Sequence, residues 1–228
     1  MSWMPLVKVY FHTTPNSFKV ALMIEELGLT PEIVPIDTRK GEQHVADFLS
    51  VNPNAKLPAI DDGGQAVFDS GAILLYLAQK HGKFLPADGP EVGEMLSWFF
   101  FVSSGIGPYS GQAVHFTRVH TDSAYATNRY TKEIARHYRV LDDRLGQSDW
   151  LGGPNYGIAD IALWGWVRAA GFVMDGQGGL SNYPNVQAWF DKVNTRPAAA
   201  KAGDWAKKFA FKTEMDEAAQ RAMFPQNF

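Results

Sequence analysis

A strand period that runs into a capped helix constrains this chain more than any other stretch. Val7, Val9 and Phe11 share one face of a two-residue alternation, with Lys8 and Tyr10 on the other, which predicts a β-strand over 6–11. Thr13-Thr14-Pro15-Asn16-Ser17 comes next. Val20, Ile24 and Leu27, flanked by Met23, then recur at helical spacing. Thr14 suits the N-cap, and Pro15 the first helical position, where a missing N–H costs nothing. A helix that starts this way presents unpaired backbone N–H groups and the positive end of its dipole, which together favour an anion. The Thr14 hydroxyl and the Asn16 amide add side-chain donors there. An ordinary cap on an ordinary helix also fits this stretch, so the rest of the chain must decide.

Gly28 stands where a helix C-cap is expected, and Pro31 follows it. Val34 and Ile36 alternate within 32–37, a second strand, and Pro35 inside it predicts a sheet edge. Strand, helix and strand in that order predict a parallel, right-handed unit. A short helix or turn over 41–51 stops at Asn52-Pro53-Asn54. Lys56 to Ile60 and Gln65 to Phe68, joined through Asp62-Gly63-Gly64, predict a β-hairpin. Asp69-Ser70 then opens a helix that ends near His81-Gly82. This order is a thioredoxin-like arrangement over residues 1–82. Residues 83–90, with Pro86, Gly89 and Pro90, read as a linker.

Beyond it no strand pattern recurs, and 91–228 reads as an all-helical domain. It starts with a helix over 91–102, interrupted at 103–108 by Gly105, Gly107 and Pro108, where a kink or a break is expected. A long helix covers 123–145. The almost wholly apolar stretch 158–173 reads as one buried central helix. Another helix covers 186–194, and 198–228 reads as a loosely packed tail. The predicted fold class is an α/β thioredoxin-like N-terminal domain plus an all-α C-terminal domain.

A formal net charge of −3 leaves no basic field for a phosphate backbone, so nucleic acid is not expected as a partner. The sequence has no cysteine, which excludes disulfides, thiolate metal sites and a protein-borne cysteine nucleophile. The six histidines are scattered without a pair at metal spacing, and no metal is expected. No apolar run reaches spanning length and no basic-then-apolar leader opens the chain. The expectation is a cytoplasmic protein with no membrane partner.

Four stretches in order, Asn54-Ala55-Lys56-Leu57-Pro58, Phe68 to Ile73, Trp150-Leu151-Gly152-Gly153 and Ile158 to Ala162, resemble the glutathione transferase family over the whole chain. A narrower resemblance is to its bacterial Nu class, the glutathione-dependent disulfide-bond reductases. It rests on Thr14-Pro15-Asn16 with Lys19, Lys40-Gly41-Glu42-Gln43, Gly107-Pro108 with Gly111-Gln112, Asn128-Arg129-Tyr130 and the ending Arg221 to Asn227. The resemblance implies that glutathione supplies the thiol that the chain lacks. Its sulfur would lie at the first helix start, where Thr14 and Asn16 would favour thiolate over thiol. Ser17 and Tyr10 are rival donors, since other classes use a serine nearby or a first-strand tyrosine.

The resemblance further implies a cis Pro58, leaving the Leu57 backbone to pair with the cysteinyl part of glutathione like an added strand. Asp69 and Ser70 would take the γ-glutamyl ammonium and carboxylate. Gln43 would reach the glycyl end and Lys56 its carboxylate. Arg129, and more weakly Gln112, would read a second glutathione. The sequence departs from the pattern at Ser17, where Gly is expected, and at Ala113, where Asn is expected. It departs again at Gly157, where Ser or Thr would open a capping box. The implied activity is disulfide reduction with bound glutathione thiols on a small-molecule disulfide. The alternatives are thiolate attack on aromatic electrophiles or ethers and, in another class, a non-catalytic glutathione-binding interaction protein. A homodimer is the implied assembly.

Overall fold

The computed structural model describes residues 6–228; the leader reading of the first residues lies outside the described ones. The chain divides into two compact units. One holds the chain up to Tyr76 together with Ala200–Phe228, the other Leu77–Ala199.

The first unit runs β1 (Val7–Phe11), α1 (Pro15–Leu27), β2 (Glu32–Pro35), two 3-10 turns (Thr38–Lys40 and Glu42–His44), α2 (Ala46–Val51), β3 (Ala59–Asp62), β4 (Gln65–Phe68) and the start of α3 (Ser70–His81), whose end from Leu77 on belongs to the second. Its sheet has the order β2-β1-β3-β4. β1 and β2 are parallel; β1 with β3, and β3 with β4, are antiparallel. β2 therefore lies at an edge, where Pro35 removes no ladder donor that the sheet needs. Gly63 and Gly64 close the hairpin with positive φ values of 64° and 95°, the backbone a two-residue turn requires. Val9, Phe11 and Ile60 from the sheet and Phe18, Leu22 and Ile24 from α1 are all buried.

Register decides what the sheet brings to one end. Phe11 at the end of β1 sits opposite Pro35 at the end of β2. Tyr10 faces Ala59 at the start of β3, and Ala59 faces Phe68 at the end of β4. The starts of α1 and α3, the Leu57-Pro58 turn and the 3-10 turns after β2 thus leave the sheet from the same end.

The tail departs from the sequence expectation of loose packing. The Trp205 side chain is fully buried, meets the Phe11 ring edge-on and donates to Glu25 Oε1 at 2.7 Å. Phe211 packs against His12, and Glu217–Met223 forms a last short helix, α11, beside the first 3-10 turn. Composition alone hides this, because a few large side chains and main-chain groups do the anchoring.

In the second unit, α4 (Pro90–Phe100) continues through a π-helical segment (Phe101–Ile106) into α5 (Gly107–Arg118). Where a kink or a break is expected, the helix continues through a widened turn. Next come α6 (Ala124–Leu145), α7 (Ile158–Val167), α8 (Ala170–Val173) and α9 (Pro184–Asn194); α10 (Pro197–Asp204) leads into the tail. The single helix expected over 158–173 is two. Continuous burial breaks after Val167, where Ala169 N–H turns back to the Trp166 carbonyl at 3.0 Å; Ala170 and Val173 are buried again, while Phe172 is 54% exposed. An apolar run is no proof of one unbroken buried helix.

All of α7 is buried and is pinned by Asp160. Its Oδ1 accepts from Leu151 N–H and Trp189 Nε1, both at 2.8 Å, and its Oδ2 from Gly157 N–H at 3.1 Å. Gly157 departs from the capping pattern for a steric reason: a Cβ there would lie 2.9 Å from the Phe84 carbonyl oxygen. Burial still pushes the Asp160 carboxyl up to about 6 against those three donors.

Candidate active site

Thr14 caps α1 as its sequence position predicts. Its Oγ1 accepts from Ser17 N–H at 3.3 Å, and its hydroxyl donates to Ser17 Oγ at 3.0 Å. Ser17 is fully buried, so this rival donor faces the core. Tyr10, the other rival, is half-buried with its ring edge-on to Phe48 at 5.4 Å, and burial pushes its phenol up. Thr14 and Asn16 remain part-exposed at the helix start, and among the described residues the Asn16 amide makes no hydrogen bond.

The second helix start is built differently. Asp69, in the left-handed region at φ 71°, caps α3 with Oδ1, which accepts from Gly71 N–H at 2.8 Å and Ala72 N–H at 3.1 Å. Positive φ at a non-glycine residue costs on the order of 1 kcal/mol, which the cap offsets. Ser70 beside it is buried, and its Oγ accepts from the Lys19 ammonium of α1 at 3.5 Å. That contact joins the starts of α1 and α3. Lys19 is 2% exposed, and burial lowers its ammonium to about 7 even though Asp69 draws it upward.

The Leu57-Pro58 peptide is cis, as the resemblance implies. Among the described residues, no hydrogen bond engages the Leu57 N–H or C=O. Asn52 Nδ2 donates to the Lys56 carbonyl at 2.5 Å and shapes the turn; the Lys56 side chain itself stands exposed. Gln43 is 3% exposed. Its Nε2 donates to the Ala222 carbonyl at 2.9 Å, and its Oε1 is buried without a partner.

Gln112 is exposed on α5, and Ala113 beside it is fully buried, so the departure at Ala113 alters the packed face of α5. Arg129 is exposed on α6 and pairs with Glu133 at 3.2 Å. Glu133 also accepts from Arg136 at 2.7 Å, and these guanidinium contacts, Arg136 first, hold its carboxyl down at about 2. Both Gln112 and Arg129 belong to the second unit. The sequence reading missed two things: that Lys19 is buried against Ser70, and that the tail reaches Gln43. The first had a signal, since Lys19 lies between Phe18 and Val20 in an otherwise apolar stretch of helix. The second had none, because the tail contributes a main-chain carbonyl.

A thioredoxin-like sheet unit with two helix starts and a cis-proline turn at one end, followed in the chain by helices, defines the glutathione transferase class of proteins. The comparisons agree. Residues 5–79 match the family described as glutathione S-transferase, N-terminal domain, and 124–192 match glutathione S-transferase, C-terminal domain. The chain is 42% identical over 206 residues to the disulfide-bond oxidoreductase YfcG of Escherichia coli, covering 86% of this chain and 94% of that one. It is 37% identical over 209 residues to the disulfide-bond oxidoreductase YghU of the same organism, covering 84% and 72%. A glutathione transferase family member from Pseudomonas fluorescens, whose crystal structure has two glutathione bound, superposes with a TM-score of 0.82 at 37% identity, covering 89% and 94%. The chain belongs to the glutathione S-transferase family and is a glutathione transferase-like enzyme.

Among the described residues, no helix is long and apolar enough to cross a membrane, and no group of three His, Cys, Asp or Glu could hold a metal ion.

Proposed function

We propose that the protein is a glutathione-dependent disulfide-bond reductase of the Nu-class kind. The observation that carries this reading is the pairing of a thioredoxin-like unit that has no cysteine with a helix start bearing Thr14 and a free Asn16 amide. Such a unit needs its thiol delivered. The relatives named disulfide-bond oxidoreductases, and the neighbour with two glutathione bound, favour disulfide reduction over conjugation. Glutathione is then the reductant: two molecules give up two electrons and their thiol protons, one disulfide becomes two thiols, and oxidised glutathione leaves.

The residues present fit glutathione. The unbonded Leu57 backbone suits a strand-like partner, the orphaned Gln43 Oε1 an N–H near the glycyl end, and Ser70 at the start of α3 a carboxylate. Lys56 is the cation for the glycyl carboxylate, and Asp69 the carboxylate for the γ-glutamyl ammonium. Thr14 and Asn16 donate to charge on sulfur; each such contact favours thiolate by about 1 kcal/mol. Thr14 must turn its hydroxyl from Ser17 to do so. Arg129 and Gln112 serve a second glutathione. In this reading residues 1–82 are the glutathione-binding domain and 91–228 the domain that forms the second-substrate pocket, the protein is a homodimer, and it works in the cytoplasm. Sedimentation tests the dimer.

Parallel assays test the chemistry. With glutathione as reductant, hydroxyethyl disulfide should turn over at least about tenfold faster than 1-chloro-2,4-dinitrobenzene is conjugated, a difference of about 1.4 kcal/mol in barrier. The reverse ranking would assign a transferase, and turnover in neither would assign a binding protein.

A further inference from the structure

Among the described residues, Lys19 is the one lysine or arginine that is buried. Its neighbours along α1, Phe18, Val20, Ala21, Leu22 and Met23, are all buried as well. It lies 3.5 Å from Ser70 Oγ, between the first turns of two helices. Both starts present positive dipole ends. The Lys19 ammonium adds positive charge at the same place, which favours an anion. Asp69, the nearby carboxylate that acts on Lys19, also caps α3.

An ammonium has donors only, so its bond to Ser70 Oγ takes a hydroxyl lone pair. The Ser70 proton must then point elsewhere. Ser70 is the first residue of α3, and the outward direction there is the one in which the helix N–H groups also point. We propose that Lys19 is a positioning residue of the carboxylate subsite: from beneath Ser70 it turns the hydroxyl proton outward to the γ-glutamyl carboxylate and adds its charge to the helix start. This rests on the glutathione reading above and assigns part of the affinity for the γ-glutamyl end to a side chain that need not touch the ligand. A carboxylate bound there in turn favours the ammonium over the amine.

The test uses the full chain with Lys19→Met, Ser70→Ala and the double variant. Ligands are glutathione and cysteinylglycine, the thiol that lacks the γ-glutamyl group. Lys19→Met should raise the Kd for glutathione about 10- to 100-fold, the scale of one charged hydrogen bond, and leave kcat at saturation within about twofold. It should leave cysteinylglycine binding unchanged. The double variant should bind glutathione no worse than Ser70→Ala alone, because the two side chains act as one. Lys19→Gln, shorter and still a donor, carries the same test if the Met variant does not fold; its loss should be smaller. A loss that persists with cysteinylglycine, or losses that add in the double variant, would overturn the proposal. Unchanged glutathione affinity in Lys19→Met, with a loss in Ser70→Ala, would overturn this inference alone. Unchanged affinity in Ser70→Ala would remove the γ-glutamyl placement itself, and this inference with it.

Discussion

Asn16 and Lys19 are three residues apart, yet they place opposite demands on the same helix. Asn16 offers an unused donor at the helix start. Replacing it with Ala should lower kcat for disulfide reduction about 5- to 10-fold, with glutathione KM within about twofold, because charge on sulfur grows as thiolate forms or departs. Equal losses in both constants would make Asn16 a ground-state contact. Lys19 instead bears on stability. Its ammonium is lowered by burial to about 7 in the fold, against 10.5 for an unperturbed lysine. Between those values the unfolded chain binds more protons than the folded one, so stability rises with pH across that window. Lys19→Met should remove this rise and stabilise the ligand-free protein at pH 7 by roughly 2–4 kcal/mol, the gain shrinking toward pH 10.5. Urea unfolding at pH 7 and pH 10 measures it, and a Met variant less stable at both would contradict it. At this scale the sequence was readable where local geometry rules. Thr14, Pro15 and Gly28 take their cap positions because caps are local. That Ser17 turns inward and Lys19 meets Ser70, 51 positions away, is tertiary and has no local mark.

Elements followed their periodicities, but the breaks between helices of the second unit did not all follow their marks. The widened turn at Phe101–Ile106 lies where two glycines and a proline suggested a kink or a break, and His137 of α6 packs against it. Its Nδ1 donates to the Glu133 carbonyl at 2.9 Å, and its ring packs against Phe101 and Tyr109 at 5.0 and 5.1 Å. Its Nε2 would lie 2.7 Å from a Cβ at Gly105. Gly105→Ala should therefore cost about 1–3 kcal/mol by overpacking, and lower the melting temperature by about 2–4 °C for each of them; calorimetry reads it. The same helix carries Arg129. Because Glu133 keeps Arg136 when Arg129 is lost, Arg129→Ala should change stability by under about 1 kcal/mol. It should raise KM for oxidised glutathione about 10- to 100-fold and affect hydroxyethyl disulfide less, if the arginine reads a second glutathione carboxylate. A drop in melting temperature with unaltered kinetics on oxidised glutathione would leave Arg129 as a helix ion pair. Period alone could place α6, but not say which of its charges pair with each other.

Across the molecule, the chain returns at its end to the unit in which it began. The tail meets the 3-10 turns after β2 through groups that sequence patterns do not mark. Lys212 N–H donates to Asp37 Oδ2 at 2.8 Å, Arg39 to the Lys212 carbonyl at 2.7 Å, and Gln43 to the Ala222 carbonyl at 2.9 Å. Burial raises the Asp37 carboxyl, but the backbone N–H groups of Lys212 and Arg39 outweigh it and hold it below its usual range. Removing residues 209–228 would leave Asp37 one donor short and take the Ala222 carbonyl from the Gln43 amide, which keeps only the His44 ring nitrogen at 3.1 Å, each a loss of about 1–3 kcal/mol for a buried polar group. The turns over 38–44 have few other holds: none of Thr38–Lys40 is buried, and Gln43 is the one buried residue of Glu42–His44. Truncation should therefore destabilise the protein by roughly 2–5 kcal/mol and open the amides of 38–44 to hydrogen exchange well before the sheet. If Gln43 serves the glycyl end of glutathione, KM for glutathione should rise with that opening, while cysteine as the thiol, which lacks a glycyl end, should show no such rise. Exchange in 38–44 that stays as slow as in the full chain would mean the turns hold themselves, and the tail would then be a cover with no share in the site.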